Sequence, residues 1–191
     1  SADLSGVTLG LGSGFTAGLD ADVQAVWDGV VARLEEAGVT MVEVDDAAIM
    51  EGNGKISFPI ALTEARADLE EYLAAYAPEI SIDDVVAKIA SEDVKGTYEA
   101  MVMPGQLPGP DGMVDGAPIY ESAMTEGRPA LIAAYDKLFA DSGIDALLFP
   151  TVPQVAALAE PASSSPEMFG AIIRNTDPGS NAGLPGLSIA A

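Results

Sequence analysis

The chain has 191 residues, 49% of them hydrophobic, with 30 Asp and Glu against 8 Lys and Arg for a net charge of −22. That length and apolar content suffice for one compact domain with a real core, while so negative a surface repels phosphate backbones and anionic bilayers, so neither nucleic acid nor membrane is an expected partner. Cys and His are both absent, which removes disulfides, thiolate nucleophiles, Cys/His zinc sites and every imidazole acid–base step, a Ser-His-Asp triad within the chain included. No stretch reaches the roughly 20 apolar residues of a membrane span. The first residues lack the basic-then-apolar order of a signal peptide, and the expected compartment is the cytoplasm. The acid excess also predicts a fold that gains stability when salt screens its self-repulsion.

From the N-terminus, Val7-Thr8-Leu9-Gly10-Leu11 reads as a short apolar strand. After a glycine-rich link, Asp20 is the expected N-cap of a helix. Its apolar residues Val23, Val26, Trp27, Val30, Val31 and Leu34 recur at i, i+3, i+4, i+7, i+8 and i+11, a pattern that predicts one buried stripe. Asp22 suits the positive end of that helix and Gly38 the position just past its other end. Residues 39–44 (VTMVEV) form a second strand, so strand, helix and strand make a βαβ unit with parallel strands. Residues from about 54 to 76 read as helix, with Pro59 in the first turn and Pro78 beyond the end. Ser81-Ile82-Asp83-Asp84 has the form of a capping box opening a helix through Ala90, and residues 91–100 form a further short helix.

Residues 101–118 (MVMPGQLPGPDGMVDGAP) hold four Pro and four Gly and are expected to be irregular. They are read either as a surface excursion or, through Met101, Met103 and Met113, as a lid over a substrate channel. Helix returns over 121–141, with Leu131, Ala134, Tyr135 and Leu138 on one face and Gly143 at its end. A strand over 144–149, a polar loop over 156–166 and a short helix over 167–174 follow. Asp177-Pro178-Gly179 then reads as a turn, and Leu187 to Ala191 as a small-residue strand suited to a central position. Helices alternating with parallel-type strands assign the α/β class, with residues 1–191 as a single domain.

Three constellations could carry chemistry. The run Gly10-Leu-Gly12-Ser-Gly14-Phe-Thr-Ala-Gly18 lies between a strand and a helix, as a dinucleotide-binding turn would, and Asp45 ends the next strand where a ribose-binding acid is expected. The spacing opposes that reading: a third glycine belongs at position 15, which is Phe15, and the helix starts too late to offer its N-terminus to a pyrophosphate. The carboxylates, Glu35, Glu36, Asp68, Glu70 and Glu71 among them, fall on polar helix faces, and Asp111 to Asp115 lacks the repeated oxygen ligands of a calcium loop. Without His or Cys, a covalent catalyst would have to be Ser, Thr or Lys. The four lysines are Lys55, Lys88, Lys95 and Lys137. Only Ser91 and Lys95 form an i, i+4 pair, better explained as a helix cap and a solvated cation. No metal or other cofactor is expected.

The stretch Arg174-Asn-Thr-Asp-Pro-Gly-Ser-Asn-Ala-Gly-Leu-Pro-Gly-Leu-Ser188 resembles the amidase signature family, in its indoleacetamide- and mandelamide-hydrolase-like branch. Leu4-Ser-Gly-Val-Thr-Leu-Gly10, Phe58-Pro-Ile60 with Glu64-Ala-Arg-Ala-Asp-Leu69, and Ile144-Asp-Ala-Leu-Leu-Phe-Pro-Thr151 fit the same branch in the same order. The resemblance implies a mixed central sheet flanked by helices, and hydrolysis of a carboxamide to a carboxylic acid and ammonia by a Ser-cisSer-Lys triad. The Gly/Ser-rich region that carries that triad has no counterpart in this sequence, so no catalytic residue is assigned. The chain is expected to be the portion of such an enzyme that follows the triad, inactive alone, associating with the rest of its own polypeptide or with a second copy. Substrate contact is expected from Phe149, Thr151 and Pro153 after the third strand, and from Asn175 and Thr176 leading into the terminal loop. The alternative for all five is packing or turn formation. A noncatalytic binding or assembly module of the same fold is the alternative for the whole chain, with a nucleotide-binding βαβ domain behind it.

Overall fold

The computed structural model describes residues 4–159 and 165–190. Strand β1 (Thr8–Gly12) passes through a single helical turn, α1 (Ser13–Thr16), into α2 (Ala21–Glu36). Gly38, at φ 94°, reverses the chain into β2 (Thr40–Val44). β1 and β2 are parallel, with Thr8 opposite Thr40 and Gly12 opposite Val44, so the expected βαβ unit is present. The stripe on α2 is less covered than its periodicity predicts. No residue of α2 is buried, and Val26 is 53% exposed. Periodicity identifies the face that prefers cover, and its cover is partial: Val23, Trp27, Val30, Val31 and Leu34 are half-buried.

The next helix starts earlier than expected. In α3 (Ala47–Tyr76), Asp45 Oδ1 accepts the Ala47 N–H at 3.1 Å at the helix start. Ile49, Asn53, Ile56 and Ser57 form one buried face. Packing along that face outweighs the poor helix propensity of Gly52 and Gly54. Pro59 therefore lies inside the helix, where it has no N–H to give the carbonyl of Lys55. At the far end of α3, α4 (Ile82–Ala87) packs through Leu73, Ile82 and Val86. Its capping box is as expected: Ser81 Oγ accepts the Asp84 N–H at 3.1 Å, and Asp84 Oδ2 accepts the Ser81 N–H at 3.0 Å.

Residues 101–118 are more regular than their composition suggests. α5 (Glu92–Thr97) runs into a π turn (Tyr98–Val102), after which β3 (Gln106–Gly109) and β4 (Gly112–Asp115) pair as an antiparallel hairpin, with Leu107 opposite Val114. Pro110-Asp111-Gly112 is a tight-turn sequence, and Gly112 at φ 128° occupies a conformation that other residues avoid. α6 (Ala117–Ser122), a second π turn (Ala123–Gly127) and α7 (Arg128–Ser142) follow as one helical run, which starts before residue 121. Gly143 ends it at φ 63°, its N–H bonded to Phe139 O at 3.0 Å.

β5 (Ala146–Leu147) is a two-residue core of the strand expected over 144–149. It completes a parallel sheet of order β2-β1-β5. The Asp145 and Leu148 amides donate to Thr8 O and Gly10 O at 2.8 and 2.9 Å. Antiparallel pairing is confined to the hairpin among the described residues. α3 and α7 lie on the sheet, and Phe15, Ile49, Ile56, Leu131, Tyr135, Leu138 and Ile144 fill the space between.

The C-terminal part departs most from expectation. α8 (Pro166–Ile173) matches the short helix, but Asp177-Pro178-Gly179 is the first turn of α9 (Asp177–Ala182). Proline is tolerated there because the first helical amides have no partner to lose. Residues 184–190 form no strand: Leu187 is 90% and Ile189 79% exposed. An apolar alternation cannot make a strand without a hydrogen-bonded neighbour, and no ladder of the described residues reaches this segment. Residues 160–164 of the expected loop, and Ala191, lie outside the described residues.

The ion pairs among the described residues, Lys55–Glu51, Arg66–Glu70 and Lys137–Asp141, are exposed i, i+4 contacts. Such pairs each contribute little, so the acid excess is left largely uncompensated. The thermal midpoint is expected to be several degrees higher in about 1 M KCl than in about 20 mM KCl, because the Debye length falls below the spacing of surface charges. Equal midpoints by circular dichroism would refute this.

Candidate functional site

The glycine turn after β1 is built around a carboxylate. Asp46, 2% exposed, directs both side-chain oxygens at the start of α1. Oδ1 accepts the Gly14 N–H at 3.0 Å and Oδ2 the Phe15 N–H at 3.1 Å. A Cβ on Gly12 would lie 2.3 Å from Asp46 Oδ2, so the glycine makes room for the acid. The amides that a nucleotide phosphate would need are therefore already occupied, which removes the dinucleotide reading. The adjacent Asp45 caps α3.

This turn fixes Phe15, fully buried, in a stacked contact with Phe149, ring centroids 4.4 Å apart and planes at 13°. Asn175 ties the same region together. It is 1% exposed, and its amide nitrogen donates to Phe15 O at 2.9 Å and to Pro150 O at 2.7 Å. Arg174 Nε donates to Asn175 Oδ1 at 3.2 Å. One side chain thus joins α1, the segment after β5 and the link between α8 and α9.

Two residues further on, α9 is anchored to α3 and α7 by a polar cluster. Asn53 Nδ2 donates to Asp177 Oδ2 at 2.7 Å, Asn181 Nδ2 donates to Asn53 Oδ1 at 2.8 Å, and Arg128 Nε donates to Asn181 O at 2.9 Å. The sequence singles out neither Asn53 nor Arg128. On an isolated helix they read as ordinary polar positions, and only the return of α9 pairs them.

These anchors hold open a cleft of about 920 Å³ along the β5 edge. Tyr135 and Phe139 of α7 lie on one side, Leu147 and Phe149 follow β5, and α9 with residues 184–188 forms the opposite wall. Phe149, Thr151, Asn175 and Thr176 all border it. Pro153 does not: it is buried, and its carbonyl accepts the Asp20 N–H at 3.0 Å, which ties the segment after β5 to the start of α2. Asp20 Oδ2 in turn accepts the Val155 N–H at 3.0 Å, so this residue secures the neighbouring loop in place of capping its own helix. Thr151 and Ser188 share a hydroxyl–hydroxyl hydrogen bond of 2.8 Å across the cleft. Asp145 is the one lining residue with a charged side chain, and its Oδ2 accepts the Thr8 N–H at 2.8 Å.

Tyr135, Phe139, Ser180 and Ser188 also border the cleft, although nothing in their sequence context marks them. Tyr135 sits in a helical apolar stripe, where it reads as core. A smaller cavity of about 170 Å³ lies beside Arg66, whose Nη1 donates to Met103 O at 2.7 Å. Met101 and Met103 border that cavity and no part of 101–118 borders the larger cleft. The segment expected as a surface excursion or lid thus borders the smaller cavity.

Elsewhere the chemistry-bearing side chains have structural partners. Lys55 and Lys137 pair with Glu51 and Asp141, and the Ser91 hydroxyl donates to the Asp93 carboxylate at the start of α5. Among the described residues no group of three or more Asp or Glu could hold a metal ion, and no helix is long and apolar enough to cross a membrane.

Comparison with known proteins gives this geometry a context. Mandelamide hydrolase of Pseudomonas putida is 39% identical over 186 residues, covering 97% of this chain and 37% of that protein. Indoleacetamide hydrolase of Agrobacterium vitis is 37% identical over 193 residues, covering 97% of this chain and 40% of that protein. The chain thus spans about two fifths of the length of these relatives. A crystal structure of an amidase superposes with a TM-score of 0.65 at 21% identity, over 98% of this chain and 40% of that one. The crystal structure of a glutamyl-tRNA(Gln) amidotransferase chain from Thermotoga maritima does so with a TM-score of 0.53 at 17% identity, over 97% of this chain and 37% of that one. Both share the α/β arrangement. The model of the Amidase family matches residues 1–191, and on that match, with the identities above, the chain belongs to the amidase family.

Proposed function

We propose that this chain forms the acyl-binding part of an enzyme that hydrolyses a neutral carboxamide, R–CO–NH₂ + H₂O giving R–COOH + NH₃. The observation that carries the reading is the cleft. It is walled by Phe149, Phe139 and Leu147, edged by the hydroxyls of Thr151, Thr176 and Ser180, and holds a single charged side chain. Such lining suits an uncharged ligand with an apolar body and one polar end. The names of the amide-hydrolysing relatives, mandelamide and indoleacetamide hydrolase, agree with it.

In this reading Phe149 contacts the acyl group, and Thr151 and Thr176 offer hydroxyls to its polar end. Asn175 acts through them, by holding the wall. Pro153 fixes the loop and touches no ligand. We place the nucleophile in sequence outside these 191 residues: without His or Cys a covalent catalyst would have to be Ser, Thr or Lys, and no lysine borders the cleft to activate one of its hydroxyls. The chain alone is therefore inactive and associates with the portion that carries the nucleophile. The substrate is a small amide, with no cofactor, no metal and no nucleic acid involved, and the protein works in the cytoplasm.

Ammonia release from 2-phenylacetamide tests this. A polypeptide carrying this chain within a complete amidase domain is expected to turn over, and residues 1–191 alone are not. Thr151→Ala in the complete form is expected to lower kcat/KM about tenfold, the loss of one well-placed hydrogen bond. Turnover by the isolated chain, or a kinetically silent Thr151→Ala, would overturn the reading.

A further inference from the structure

Among the side-chain hydroxyls that border the cleft, that of Tyr135 has no hydrogen-bond partner among the described residues. Tyr135 is 4% exposed and sits in the main core beside Leu131, Leu138 and Ile144. It borders the cleft. No buried side-chain oxygen or nitrogen among the described residues lacks a hydrogen bond, and no described residue donates to or accepts from the Tyr135 hydroxyl. That oxygen therefore reaches open space, and the cleft is the space that Tyr135 borders. The other hydroxyls at the rim differ in this respect: Thr151 bonds to Ser188, Thr176 Oγ1 donates to Ile173 O at 3.2 Å, and Ser180 Oγ donates to Thr176 O at 3.0 Å.

Building on the carboxamide reading above, we infer that Tyr135 is the binding residue that donates a hydrogen bond from the α7 side of the cleft to the carbonyl oxygen of a neutral carboxamide. A phenol buried in an apolar stripe gains nothing in stability from its hydroxyl unless the oxygen finds a partner. Phe139, Leu147 and Phe149 line the same cleft, so the hydroxyl offers a directed donor beside apolar surface, the arrangement by which a site orients an amphipathic ligand. Burial, reinforced by the nearby charge of Asp46, pushes the Tyr135 pKa up to about 12. The group is thus a donor across the physiological range and no phenolate competes for the site. A carboxylate product is drawn to no cation here and lies in the same cleft as Asp145, so the same donor is compatible with product release.

The test uses the 191-residue chain and two fluorine-labelled probes followed by ¹⁹F NMR. They are 4-fluorophenylacetamide and 4-fluoroethylbenzene, which lacks the carbonyl. Tyr135→Phe keeps the ring and its packing, and its urea midpoint is measured alongside. The expected result is an amide affinity about tenfold weaker than that of the unmodified chain, with the hydrocarbon bound equally by both. Phe149→Ala is expected to weaken both probes. If Tyr135→Phe binds both probes like the unmodified chain while Phe149→Ala weakens them, the Tyr135 assignment fails and the cleft reading stands. If the unmodified chain binds neither probe, the cleft is not the ligand site and both fail together.

Discussion

Asp46→Ala is expected to reduce the unfolding free energy by about 3–5 kcal/mol, because two backbone amides, one buried and one partly buried, lose a charged acceptor and find no other. The donors are the Gly14 and Phe15 N–H groups, held at 3.0 and 3.1 Å in a site where Asp46 is 2% exposed. Water cannot easily substitute, since Gly12 and Gly14 press directly on the carboxylate; a Cβ on Gly14 would lie 2.8 Å from Asp46 Oδ2. Asp46→Asn should fall between the two, because its NH₂ would face one of the amides as a second donor. Urea unfolding checks both, read as a lower midpoint at an unchanged slope. A midpoint for Asp46→Ala within about 0.5 kcal/mol of the unmodified chain would show that the turn does not depend on this acid.

The effect should reach the cleft as well. Phe15 is pinned by the Asp46 contact and carries the stacked Phe149 ring. Loosening the turn therefore frees the aromatic wall that the proposed acyl group meets, and Asp46→Ala should weaken amide binding in proportion to the population in which the turn opens.

Asn175 gives the second large effect, and its sign pattern is diagnostic. Asn175→Ala leaves Phe15 O and Pro150 O without their shared donor in a site 1% exposed, a loss of about 2–4 kcal/mol. Asn175→Asp keeps the shape but sets an acceptor oxygen against two carbonyl oxygens. It should be at least as destabilising as the alanine change, although it is the closer isostere. If Asn175→Asp proved milder than Asn175→Ala, the amide nitrogen would not be the working atom, and the clamp joining α1, β5 and α9 would need another basis. Because the clamp sets the position of Thr176, both changes should also raise KM in the complete enzyme.

Several parts of this protein are legible before any coordinates. The spacing of Val23 to Leu34, the Gly38 and Gly143 ends and the Ser81–Asp84 box depend on residues within one or two turns of each other. Local rules of dihedral preference and capping act at that range. Other signals were present but outweighed by composition. Pro110-Asp111-Gly112 marks a hairpin turn, yet the density of Pro and Gly around it suggests an irregular loop. Gly52 and Gly54 argue for a late helix start, whereas burial of Ile49, Asn53 and Ile56 brings it forward to Ala47.

The cleft was half legible. Phe149, Thr151, Asn175 and Thr176, expected from their motifs as substrate contacts, border it, but the motifs could not separate their tasks. Asn175 turns inward to two carbonyls, Thr151 reaches across to Ser188, and Pro153 faces the start of α2. Tyr135 was hidden because a helix stripe of Leu131, Tyr135 and Leu138 looks the same whether its aromatic ring ends in the core or at a cavity.

The α/β class, the βαβ start, several helix ends and the chemistry excluded by the absence of His and Cys follow from residue identity and near-neighbour geometry. Tertiary contacts alone set that Asp46 fills the glycine turn, that Asn53 meets Asp177, that the α2 stripe is only partly covered, and that residues 184–190 form a wall and its exposed continuation in place of a strand. Those outcomes depend on contacts between residues 31 to 128 positions apart, or on the lack of such contacts, and on burial that exists only once distant segments close on one another.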